Sequence, residues 1–153
     1  EQIDWLLQNL ASSKATFKII AVGGQTLSSA AVFENYATRP VERKKLLDGI
    51  EKENIKGVFF LSGDRHFTEL SKMSRALHYP LYDLTCSPLT SGIHTKAFEE
   101  ENMYREQKTL VMEHNFAVLA FSGDIKNRLM EITVYNAQGK KKWTTTISAN
   151  DLK

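Results

Sequence analysis

GVFFLSGDRHFTEL, residues 57–70, runs an unbroken apolar stretch from Val58 to Leu61 into an abrupt polar stop. Ser62 and Gly63 break the run, and Asp64, Arg65 and His66 follow in succession. A short strand without polar alternation is covered on both faces, as strands of parallel sheets are. In open α/β sheets, ligands bind beyond the carboxyl ends of such strands, where the crossover loops leave a crevice. Asp64 and His66 are two apart, so in an extended chain both project to the same side. A carboxylate and an imidazole converging there suit a metal ion, or a phosphate beside one. The same residues also fit a plainer arrangement, with Asp64 capping a following helix and His66 on the surface.

Working outward, Ile3, Leu6, Leu7 and Leu10 share one face of a helix. Thr16 to Val22 is a β-branched run closed by Gly23-Gly24, and reads as a buried strand. Those glycines allow a sharp turn that would bring Gln25 close to a ligand. Pro40 stands where a helix accepts its first residue, with Val41, Leu46, Leu47 and Ile50 as the apolar face. Phe67, Leu70 and Met73 predict a short helix, and Pro80 to Cys86 a third strand. Strands alternating with helices imply right-handed crossovers and a parallel sheet covered on both sides. Ser87 to His114 forms a long segment, expected to be partly helical in its middle, FEEENMYREQK; connections of that length are often functional. Residues 115–121, 128–135 and 142–149 then read as an antiparallel meander, with Met130, Ile132 and Val134 alternating with polar partners. The expected fold class is α/β (α+β): a βαβαβ parallel part followed by an antiparallel β-meander, one domain over residues 1–153.

Composition narrows the function classes. The chain has 153 residues, 42% apolar and 25% charged, enough for its own core. A formal charge of +2 gives no nucleic-acid-binding surface, and the one compact basic run, Lys140 to Lys142, reads as a solvated hairpin. No run of 18 apolar residues exists to span a membrane. The chain opens at Glu1 and enters a helix almost at once, which suggests a piece of something longer. Cys86 is the single cysteine, so neither an internal disulfide nor a zinc-finger framework can form. There is no G-x-S-x-G elbow, P-loop or G-x-G-x-x-G, against hydrolase-fold, NTPase and dehydrogenase readings. A second Ser-Gly-Asp, residues 122–124, lies between two meander strands as an ordinary turn. His78 belongs at the sheet's far end, and His94 and His114 lack partners at ligand spacing.

Taken in order, these pieces resemble the C-terminal half of a PhoD-like alkaline phosphatase of the metallophosphoesterase superfamily. EQIDWLLQNLASSKATFKIIAVGGQ resembles that family's helix–strand unit, and ENYATRPVERKKLLDGI its Pro-x-Glu-Arg helix. GVFFLSGDRHFTEL looks like the late Gly-Asp-x-His motif, and YPLYDLTCSPLTSG like the strand and loop that follow. The resemblance implies a metallophosphatase-type β-sandwich flanked by helices around a multinuclear metal centre. Iron and calcium are the ions it suggests, with zinc or manganese the superfamily's alternatives. It implies a small phosphate-ester substrate, a metal site containing Asp64 and His66 with His66 catalytic, and Gln25 and Arg65 near the phosphate. For Arg65 the residues alone favour the plainer reading of an exposed arginine. Cys86 stands where the family tends to have serine. The early motifs that carry most of the metal ligands are not in these residues. The chain is therefore expected to lack activity and tight metal binding alone, its first partner being the N-terminal half of the same protein. Export to the periplasm, cell envelope or medium is expected from the resemblance. The alternative is a non-catalytic binding module derived from a degenerate phosphatase.

Overall fold

The computed structural model describes residues 1–153. Helices α1 (Gln2–Ser12) and α2 (Pro40–Lys52) form one layer against strands β1 (Lys18–Val22), β2 (Val58–Ser62), β3 (Glu69–Arg75) and β4 (His78–Thr85). A second sheet of β5 (Asn115–Ser122), β6 (Leu129–Asn136) and β7 (Lys141–Ser148) covers the other face of the first. The first sheet runs β1-β2-β4-β3, with β1, β2 and β4 parallel. The second is the antiparallel meander expected from residues 115–149.

β2 explains the apolar run of the opening stretch. Val58 and Phe60 face the helices and pack with Leu10, Leu46 and Ile50. Phe59 faces the second sheet and packs with Leu84, Met130 and Ile132. Both faces lie under a hydrophobic layer, so polar alternation has no place in this strand. Burying each of these side chains contributes about 1.5–3 kcal/mol. In α2 the buried residues are Leu46 and Ile50, whereas Val41 is 82% exposed. At 3.6 residues per turn Val41 lies on the opposite face from Ile50, so the apolar stripe excludes it.

Two expected elements differ. Phe67, Leu70 and Met73 do not build a helix: residues 69–75 are β3, paired antiparallel with β4 through Leu70↔Leu84 and Met73↔Leu81. Three apolar residues at spacing three do not determine a period, and pairing with β4 decides the matter. The expected second crossover helix is thus an edge strand, and the parallel part is βαβ followed by a β-hairpin. The middle of residues 87–114 is likewise irregular, with one 3₁₀ turn at Ala97–Glu99. It runs along the outer edge of β3 as a strap, bridging Thr68 to Val111 and Ser71 to Arg105. The turns meet expectation: Asp124 Oδ1 accepts from the N–H groups of Lys126 and Asn127, and Asn136 Oδ1 from those of Gln138 and Lys140.

Between the strand ends lies a polar layer with no water access. Asp83 on β4 is 1% exposed. Its Oδ2 accepts from the backbone N–H of Thr26 (2.7 Å) and Leu27 (3.0 Å), and its Oδ1 from the Ser62 hydroxyl (2.8 Å). Burial nevertheless holds its carboxyl above the ordinary value of 3.8, outweighing the downward pull of those hydrogen bonds. An acid whose folded pKa is raised adds stability below its unfolded pKa, and that stability is lost as pH rises through the folded pKa. Urea unfolding should therefore show the stability of the wild type relative to Asp83→Asn declining as pH increases above 3.8. Asp83→Ala should cost about 1–3 kcal/mol by leaving the Thr26 and Leu27 donors unpaired. A wild-type-minus-Asn difference that is flat or rises with pH would contradict the assignment.

Candidate functional site

β1, β2 and β4 run the same way, so Val22, Ser62 and Thr85 end at one edge of the sheet. The first residues past that edge still follow the ladder: Gly63 N–H donates to the Gly23 carbonyl (3.0 Å) and Cys86 N–H to that of Ser62 (2.9 Å). Beyond Gly63 the chain is not extended. Asp64 has φ +63° and His66 φ +59°, both in the left-handed region, while Gly63 is not among the residues with positive φ. Asp and His enter that region more readily than most side chains, yet each such residue still costs on the order of 1–3 kcal/mol. The double turn drives Arg65 inward and leaves Asp64 and His66 on either side of it facing out. Arg65 is 5% exposed, pairs with Glu100, and holds its guanidinium 4.6 Å from the Phe33 ring centre. That buried contact offsets the strain of the turn.

The outcome is a cavity of about 270 Å³ lined by Phe33, Glu34, Asp64, Arg65, His66 and His94. The sequence expectation that Asp64 and His66 share one side is met, by a left-handed turn rather than by strand geometry. The His66 ring lies 3.5 Å from the Ser91 hydroxyl, and its carbonyl accepts from the backbone N–H of His94 (2.9 Å). His94 Nε2 sits 2.9 Å from Glu100 Oε1, so one buried carboxylate joins His94 to Arg65. His94 comes from the strap, 28 positions beyond His66, and no local spacing announces it. Phe33 and Glu34 come from the loop after β1, and nothing in their own segment sets them apart.

The other expected residues fall elsewhere. Gln25 does not reach toward a ligand: it is 1% exposed and its amide is fully engaged inside the fold. Its Nε2 donates to Glu69 (2.7 Å) and Thr85 (2.9 Å), and its Oε1 accepts from Asn35 (3.0 Å). Gly24 is required for a different reason, because a Cβ there would lie 2.7 Å from the Glu34 carbonyl oxygen. Arg65 is neither exposed nor unpaired, although its Nε is buried without a partner. His78 begins β4 at the far end of the sheet, 2.9 Å from Glu51, and His114 bonds the Ser91 carbonyl. Burial raises the thiol pKa of Cys86, which contacts Asn115. The largest groove, about 960 Å³ between α1 and α2, is lined by charges that pair locally, Lys44 with Asp48 and Lys45 with Asp4.

The donor chemistry of the smaller cavity fits a metal ion in kind. Asp64 offers carboxylate oxygens and His66 an imidazole nitrogen. Nowhere do three His, Cys, Asp or Glu side chains converge closely enough to enclose one, so the donors fit only as part of a larger set.

Comparison with known proteins bears on the fold and the family. A solved structure titled "Structure of PhoD" superposes with a TM-score of 0.66 at 17% identity, covering 95% of this chain and 35% of that one. The chain thus spans about a third of that relative and shares its fold. No curated protein matches the sequence. A model of the PhoD-like phosphatase family matches residues 1–131. Matched over most of its length, the chain belongs to the PhoD-like phosphatase family.

Proposed function

We propose that the protein carrying this chain is a metal-dependent hydrolase of phosphate esters, of the alkaline phosphatase or phosphodiesterase type. The observation that carries the reading is the convergence of Asp64 and His66, in strained backbone, on one cavity at the carboxyl edge of the parallel strands of a PhoD-like chain. In this reading Asp64 and His66 are ligands to a shared metal centre, with iron and calcium, or zinc or manganese, as the ions the family resemblance suggests. Such ions, when bound, polarise the ester and supply a hydroxide nucleophile.

The protein's own contribution is positional. Left-handed backbone at Asp64 and His66 fixes both side chains on the cavity wall. The Arg65–Glu100–His94 chain locks the turn from behind and ties it to the strap. Arg65 lines the cavity beside Asp64 and His66, which supports its place near a phosphate oxygen. Gln25 acts one layer below, holding the loop after β1 against Glu69. The chain is the C-terminal portion of the phosphatase domain, and the remaining metal ligands come from the rest of that protein. We also place the protein outside the cytoplasm, on the family resemblance; fractionation of the cells that make it tests this.

A longer protein containing this chain should hydrolyse 4-nitrophenyl phosphate or its bis ester with added metal. His66→Ala should lower kcat/KM at least about 10²-fold, the usual scale for losing one catalytic group. Turnover of neither ester, with no metal bound, would sink the hydrolase reading and leave the binding module. For residues 1–153 alone, elemental analysis after gel filtration should find no stoichiometric metal. An ion retained at Asp64 and His66 would show that the cavity is complete without further ligands.

A further inference from the structure

Three of the five non-glycine residues with positive φ, Phe33, Asp64 and His66, line the same cavity. The turn at residues 64–66 accounts for two of them. Phe33 is the third, with φ +49°, and for a bulky side chain that conformation is an outlier. Core packing within residues 1–153 does not explain it, because Phe33 is 68% exposed there. Its ring meets the Arg65 guanidinium at 4.6 Å and the edge of His94 at 6.3 Å, and most of its surface stays open.

Phe33 and His94 also line a second cavity of about 480 Å³, with Ala30, Ala31 and Val32 on one wall and Lys96, Glu99 and Glu101 among its charged residues. The two cavities adjoin, with the Phe33–His94 pair as their shared wall. One side holds Asp64 and His66; the other is a groove with a small apolar wall.

We propose that Phe33 is a specificity-determining platform, stacking a flat aromatic group of the substrate while the phosphate lies at Asp64 and His66. This rests on the phosphoesterase reading above and adds the substrate class: aryl or similarly planar esters. The ring offers an apolar face already held by its contacts to Arg65 and His94, so little freedom is lost when a second ring stacks on it.

The test compares 1-naphthyl phosphate with glycerol 2-phosphate, using the full-length protein and its Phe33→Ala and Phe33→Trp variants. The ratio of kcat/KM for the aryl over the alkyl ester should fall about tenfold in Phe33→Ala, and Phe33→Trp should restore it. Taking this ratio cancels both leaving-group reactivity and any general loss of fold. An unchanged ratio in Phe33→Ala overturns the proposal while leaving the hydrolase reading intact. A fluorescence titration with 1-naphthylphosphonate, competed by methylphosphonate, needs no turnover. If the wild type hydrolyses neither ester but binds the naphthyl probe in a Phe33-dependent way, the hydrolase reading fails and the platform stands. A wild type that neither hydrolyses nor binds overturns both.

Discussion

Two buried carboxyl groups, those of Asp83 and Glu69, hold the loops of this protein over the ends of its strands. Asp83 draws the backbone N–H groups of Thr26 and Leu27 down onto β4 and bonds the Ser62 hydroxyl at the end of β2. Glu69 gathers Gln25 from the loop after β1, and Asn102 and Arg105 from the strap. A buried carboxyl group is tolerated only when its oxygens are hydrogen-bonded, and here the donors come from three separate segments. The same interactions that satisfy these groups therefore fix where those segments lie. The cavity is the space left between loops so held.

Strain and burial are balanced locally around that cavity. Left-handed backbone at Asp64 and His66 is unfavourable by itself, and it persists because Arg65 between them, only 5% exposed, pairs with Glu100 and packs on the Phe33 ring. An extended chain would place Arg65 opposite its neighbours as well, but without the curvature that returns residues 69–75 to pair with β4. The turn thus serves the sheet and the cavity at once: it reverses the chain for β3 and presents two ligand-type side chains on one wall. In the proposed phosphoesterase this fixed presentation is what the chain brings to a metal centre shared with the rest of the protein.

Much of the framework was legible because its signals are local. Periodicity located α1 and most of α2, unbroken apolar runs located β1 and β2, and alternation located β6. The helix wrongly expected at residues 67–73 shows the limit: Glu69 and Ser71 are polar yet buried, and their partners Asn102 and Arg105 lie some thirty residues away. Gln25 was misjudged for the same reason. Seen beside two glycines it looks presented to solvent, and only the fold shows its amide closed upon Glu69, Thr85 and Asn35.

The sequence by itself determined the layered class, every strand but β3, and the placement of Asp64 and His66 beyond a buried strand. Those follow from hydrophobic pattern and chain direction, which act over a few residues. The tertiary structure alone decided that Glu69 and Ser71 bury against Asn102 and Arg105 of the strap, that Arg65 turns inward to Glu100, and that His94 and Phe33 join the cavity. Each depends on contacts between residues separated by dozens of positions, where the deciding terms are the filling of buried hydrogen bonds and the pairing of buried charge. No window of the sequence contains both partners.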